Sequence, residues 1–143
     1  MKKVVFAIRT HKFSDSEKYL YDYAAKYFGK NNTYIACNNN AENIKIPVEY
    51  NHFFFNKENL LNGTGLYFHE NWAWRCGDYW YYALNKFLKG YEYVWLCEPD
   101  VYFCNKNADD FFKPFEQLDC GFLTNKYGTA GPNLSFFKTS EVL

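Results

Sequence analysis

The chain has 143 residues, enough for one domain that buries a real core. Lys and Arg number 16, and so do Asp and Glu, giving a formal net charge of zero. That balance excludes a nucleic-acid binder relying on a basic face, but not a small anionic ligand gripped locally. Aromatic residues make up 23% of the chain, and a coding bias toward Lys, Asn, Tyr and Phe accounts for them ahead of stacking on sugar rings.

The amino terminus, Met1-Lys2-Lys3-Val4-Val5-Phe6-Ala7-Ile8-Arg9, resembles a secretory signal only superficially. Its apolar stretch covers 4–8, short of the roughly 7–15 residues of a signal core. No stretch approaches the ~20 apolar residues of a transmembrane span. The expectation is a cytoplasmic protein without a transmembrane segment. Cysteines 37, 76, 97, 104 and 120 are odd in number and form no C-x-x-C pair, which reads as buried free thiols in a reducing compartment.

Residues 4–8 read as a first strand ending in the polar group Arg9-Thr10-His11. Ser14-x-x-Glu17 has the capping-box pattern of a helix start. Leu20, Ala24, Tyr27 and Phe28 recur at helical spacing, and Gly29 supplies the stop. A second strand over 33–37 ends in Asn38-Asn39-Asn40. Strand, helix, strand with short connections opens a parallel α/β unit. Within 41–70, segments 44–48 and 52–55 are short strands or extended loop, and Asn62-Gly63-Thr64-Gly65 is a turn.

Asp78 then opens or caps a helix whose apolar stripe is Trp80, Ala83, Leu84, Phe87 and Leu88, ended by Gly90. Tyr93-Val94-Trp95-Leu96-Cys97 is a buried strand. Asp109 and Asp110 start a short helix containing Phe111, Phe112, Phe115 and Leu118. Further strands are expected over 121–123 and 134–137, on either side of the loop 127–132. There is no internal repeat or linker, so 1–143 reads as a single domain.

Glu98-Pro99-Asp100, directly after the 93–97 strand, carries the chemistry. Ligands of open α/β sheets bind just outside the carboxyl ends of the strands. Two carboxylates there can hold a hard divalent cation and, through it, the phosphates of a nucleotide. Taken alone, the triplet is equally well a surface turn opened by Pro99.

The segment Trp74-Arg75-Cys76-Gly77-Asp78-Tyr79, a helix, and then Val94-Trp95-Leu96-Cys97-Glu98-Pro99-Asp100-Val101 together resemble GT-A-fold glycosyltransferases. The likeness is to a bacterial group with a W-x-C-G-D-Y segment and an E-P-D-V strand end. Pro132-Asn133-Leu134-Ser135-Phe136-Phe137 is similar to the Asn-containing strand that follows in several such families. The resemblance implies a Rossmann-like, mostly parallel sheet flanked by helices. It also implies a nucleotide-sugar donor, Mn²⁺ or Mg²⁺, and a glycan or lipid-linked acceptor, as in surface polysaccharide or lipooligosaccharide synthesis. Peripheral membrane contact is compatible with it.

Under that resemblance Asp100 is the direct metal ligand. Glu98 binds the ion through water or contacts the donor ribose or sugar. Asp78 hydrogen-bonds sugar hydroxyls, caps its helix, or does both. Arg75 pairs with a phosphate or with Asp78, or is a plain surface residue. Arg9, Thr10 and His11 lie where such enzymes hold base and ribose, and Asn133 reaches toward the sugar. His69 beside Glu70 is read as structural. Two features depart from the family pattern: Glu98 replaces the first Asp of D-x-D, and these enzymes usually continue past residue 143 into acceptor-site and general-base residues. The portion lacking here leaves open a truncated or non-catalytic nucleotide-sugar- or glycan-binding domain. A receiver-like or flavodoxin-like domain is a third class.

Overall fold

Val4-Val5-Phe6-Ala7-Ile8 is apolar without alternation, the pattern of a strand covered on both faces, and it forms the centre of the molecule. A computed structural model describes residues 3–38, 43–61 and 79–118. Strand β1 spans Val4–Thr10, helix α1 Asp15–Phe28, and strand β2 Thr33–Cys37 after a 3-10 turn at Lys30–Asn32. Strand β3 covers His52–Phe54, helix α2 Lys57–Leu61, helix α3 Tyr79–Phe87 and strand β4 Tyr93–Cys97. Helix α4, Ala108–Phe112, runs on into a 3-10 turn at Lys113–Phe115.

The four strands form one parallel sheet in the order β3-β2-β1-β4. The chain steps outward from β1 to β2 and β3, then returns to the other side of β1 at β4. Connections of one hand that step in opposite directions lie on opposite faces of a sheet. The core divides accordingly. Phe6, Ile8, Ile35 and Cys37 share a cluster with Leu20, Tyr21 and Ala24 of α1. Ala7 and Ala36 share the other with Phe55, Leu60 and the α3 residues Trp80, Ala83 and Leu84. The order belongs to the Rossmann type, in which β1 lies between β2 and β4. A flavodoxin-like or receiver-like domain would put β3 beside β1, so that third class is excluded.

The start of α1 follows its capping box: the Ser14 N–H donates to Glu17 Oε2 at 2.8 Å. At its end Gly29 takes φ +78°, and its N–H donates to the Ala25 carbonyl at 3.0 Å. Helix α4 is held by Phe112, which is buried with ring centroids 4.7 Å from Phe28, 5.4 Å from Trp95 and 5.8 Å from Phe6.

Several elements differ from the sequence expectation. Strand β1 continues to Thr10, because Arg9 and Thr10 pair with Ala36 and Cys37 of β2. Of the two alternatives for 44–48, the chain takes the extended loop, with Ile46 and the following Tyr50 buried against the α1-side core. Of 52–55, His52–Phe54 form a strand on β2, and the Phe55 N–H donates to the Cys37 carbonyl at 3.0 Å just beyond it. Phe87 is 37% exposed, lying at the edge of its cluster and stacked on Phe53 at 5.0 Å. Helix α4 opens with Asp109 and Asp110 in its first turn, as expected, but Phe115 lies in the 3-10 turn after it and Leu118 is exposed beyond. Among the described cysteines, Cys37 and Cys97 are buried free thiols, but Cys104 is exposed. The Asn62–Gly65 turn, His69, Glu70, Cys76, Cys120 and the strands expected over 121–123 and 134–137 lie outside the described residues.

Candidate functional site

Because all four strands run parallel, Thr10, Cys37, Phe54 and Cys97 end on one edge of the sheet. The strand order reverses between β1 and β4, and a doubly wound sheet leaves its ligand crevice at such a reversal. The last β1–β4 pair is Ile8 with Cys97, so Arg9 and Glu98 follow side by side on the face of Ala7 and α3. They form an ion pair there, Arg9 Nη2 to Glu98 Oε1. The Arg9 guanidinium also lies over the Trp80 ring, 5.8 Å from its centroid, a cation–π geometry. Trp80 is itself buried edge-on against Phe55 at 4.9 Å. The arginine is thus mostly covered, its side chain 17% exposed, while Glu98 is 53% exposed.

The acids leave the sheet on a tight turn. The Val101 N–H donates to the Glu98 carbonyl at 3.3 Å, closing Glu98-Pro99-Asp100-Val101. Pro99 presets φ at the second position, and Asp100 occupies the third, exposed to solvent. Just inside, the Cys97 thiol is buried. Burial pushes its pKa up to about 12, and the charges on Asp100 and then Glu98 add to the shift.

Thr10 is placed differently. It is buried on the α1 face, and its hydroxyl donates to Glu17 Oε1 at 2.7 Å while accepting the Lys12 N–H at 3.2 Å. These bonds tie the end of β1 to the start of α1, so Thr10 shapes that connection. His11 is exposed on the loop just beyond. Of the residues singled out in the sequence, Arg9 and Glu98 are brought together, and Asp100 follows on the same turn. Arg75, Asp78 and Asn133 lie outside the described residues.

A divalent ion of the Mg²⁺ or Mn²⁺ kind takes one or two carboxylates, with substrate phosphates and water completing its shell. Glu98 and Asp100 fit that share. Among the described residues no group of three or more His, Cys, Asp and Glu is placed to hold a metal, so the phosphates and water would complete the shell. Two features escaped the sequence reading. The helical spacing of Trp80 predicts a core residue, yet it also backs Arg9. Tyr102 is 74% exposed beside the acidic turn and stacks face to face on Tyr19 at 4.9 Å. The Arg9–Glu98 pairing follows from the strand register, and nothing local in the sequence points to it or to the tyrosines.

No family model, curated protein or solved structure matches the chain. No helix among the described residues is long and apolar enough to cross a membrane.

Proposed function

We propose that the chain is a metal-assisted glycosyltransferase domain of GT-A type, passing a sugar from a nucleotide-diphosphate donor to a glycan or lipid-linked acceptor. The observation that carries this reading is the turn Glu98-Pro99-Asp100 at the sheet reversal, with Arg9 drawn to the same point. Sugar transfer breaks the bond from the anomeric carbon to a phosphate oxygen, and negative charge gathers on the departing diphosphate. A bound Mn²⁺ or Mg²⁺ would neutralise that charge as a Lewis acid. Asp100 is an exposed carboxylate that could hold it, while Arg9 offers a fork suited to phosphate oxygens. Location in the cytoplasm, with the acceptor at a membrane surface, belongs to the same proposal.

The test is titration of UDP- and GDP-sugars with and without Mn²⁺, using Asp100→Asn as the control. Donor binding that needs both the metal and Asp100 supports the reading. Binding that is absent, or indifferent to both, removes it. Donor binding with neither transfer nor donor hydrolysis would instead identify a nucleotide-sugar-binding module.

A further inference from the structure

We propose that Tyr102 is the floor of a carbohydrate subsite, an open ring on which one pyranose of a glycan lies flat. Helix α1 carries a tyrosine at each successive turn, Tyr19, Tyr23 and Tyr27. Each stacks on an aromatic ring from the segment after β4: Tyr102 at 4.9 Å, Phe103 at 4.6 Å and Phe112 at 5.2 Å, respectively. The Tyr19 hydroxyl donates to the Phe103 carbonyl at 3.2 Å, and that of Tyr23 to the Asn107 carbonyl at 3.1 Å, so the segment is pinned along the helix. Phe103 and Phe112 are buried in this row, but Tyr102 is 74% exposed. Its plane lies within 9° of that of Tyr19, and among the described residues no second ring covers its outer face. The row therefore ends one layer short, on a ring whose orientation is already fixed from beneath.

The surroundings select the occupant. Asp100, Asn105 and Lys106, on either side along the chain, are exposed polar residues, and Val101 is the other exposed large apolar residue of this run. A protein partner or a lipid surface needs a wide contiguous apolar area. A pyranose needs one ring face for its C–H groups and hydrogen-bonding groups around it for its hydroxyls. The position agrees, because the turn Glu98-Pro99-Asp100-Val101 leads straight to Tyr102 at the carboxyl edge of the sheet, where ligands of such folds bind. A ring held by its neighbour also loses little freedom when a ligand settles on it. The subsite goes beyond the donor reading and requires neither a metal nor a nucleotide.

The probes are methyl β-glucoside, methyl β-galactoside and methyl N-acetyl-β-glucosaminide, titrated into the full chain without nucleotide or divalent ion. Binding is read from the ring signals of ¹³C-labelled tyrosine, with Tyr102 assigned by the signal lost in Tyr102→Phe, and from saturation transfer to the sugar C–H protons. At least one glycoside is expected to shift the Tyr102 signal saturably. Tyr102→Phe should keep its affinity within about twofold, because the ring face and not the hydroxyl carries the contact, whereas Tyr102→Ala should weaken it at least about tenfold. Circular dichroism checks that both variants fold; if Tyr102→Ala does not, the ring shift in the parent and the Phe variant still decide the matter. Three results overturn the proposal: no glycoside moves the Tyr102 signal, Tyr102→Ala binds as the parent does, or the signal answers instead to uridine, guanosine or protein concentration alone. Each of them leaves the donor reading to its own titration, since Arg9, Glu98 and Asp100 are untouched. Glycoside binding in a chain that ignores nucleotide sugars would support this subsite and remove the donor reading.

Discussion

The Thr10 hydroxyl donates to the Glu17 carboxylate at 2.7 Å, with both side chains buried, and so fastens the last residue of β1 to the first turn of α1. Glu17 also accepts the Ser14 N–H at 2.8 Å. A carboxylate this deep is tolerated because its oxygens are matched by donors. It anchors Thr10, the residue after Arg9 on β1.

Glu17→Ala would leave the Ser14 N–H short of an acceptor in a covered site, while the Thr10 hydroxyl keeps the Lys12 carbonyl at 3.0 Å as its acceptor. The expected cost is about 1–3 kcal/mol of stability, with Glu17→Gln costing less because one carbonyl oxygen remains. Urea denaturation of both variants measures it, and an Ala variant within experimental error of the parent would contradict this role.

Phe112→Ala removes the ring that docks α4 against Phe6, Phe28 and Trp95. The loss should be about 3–5 kcal/mol, as for other fully buried aromatic side chains cut back to a methyl group. The same denaturation experiment reads it. A loss below about 1 kcal/mol would mean that the helix contributes little to the core.

Glu98→Gln should change stability by less than about 1 kcal/mol, because an ion pair with one partner half in water contributes little to folding. Thermal melts at two salt concentrations check this. A much larger loss would make the pair a structural brace rather than part of a ligand site.

Alkylation with iodoacetamide at pH 8, followed by peptide mapping, should label Cys104 quickly and leave Cys37 and Cys97 unmodified until the protein unfolds. Cys104 is exposed, whereas burial pushes both other thiols up to about 12, with the Glu17 charge adding at Cys37 and those of Asp100 and Glu98 at Cys97. Fast labelling of Cys97 in the folded protein would show the acidic turn to be open beneath.

Those same two thiols make stability depend on alkaline pH. Their native values lie near 12, above the roughly 8.5 of an unfolded cysteine. Below the unfolded value both states are protonated and the full stability is present. As pH rises from there toward the native value, the unfolded chain releases protons that the folded one keeps, so stability falls. Melting temperatures between pH 8 and 11 should drop, and Cys97→Ala should flatten part of the decline.

Local chemistry made α1 and β4 legible from the sequence: Ser14 and Glu17 mark a helix start, Gly29 ends it, and five apolar residues precede Glu98. The parallel α/β class followed from the order of these elements. What the sequence could not convey was set by partners far along the chain. Arg9 and Thr10 look like a polar exit until Ala36 and Cys37 pair with them. Ile46 and Tyr50 are buried without regular structure because α1 and its neighbours cover them. Phe87 has the right helical spacing for the core, but a spacing rule cannot tell how far the opposing layer extends. The joining of Arg9 to Glu98 across 89 positions depends on sheet register, which no local pattern encodes.

Pro99 has a consequence for how the crevice would age under mutation. A pyrrolidine ring limits the backbone between the two acids by covalent structure alone. The spacing of Glu98 and Asp100 should therefore persist in variants whose interior has loosened. The alignment of Arg9 with them has no such guarantee, since it relies on two strands staying zipped. Damage to the interior should erode the arginine's contribution long before it disperses the carboxylates.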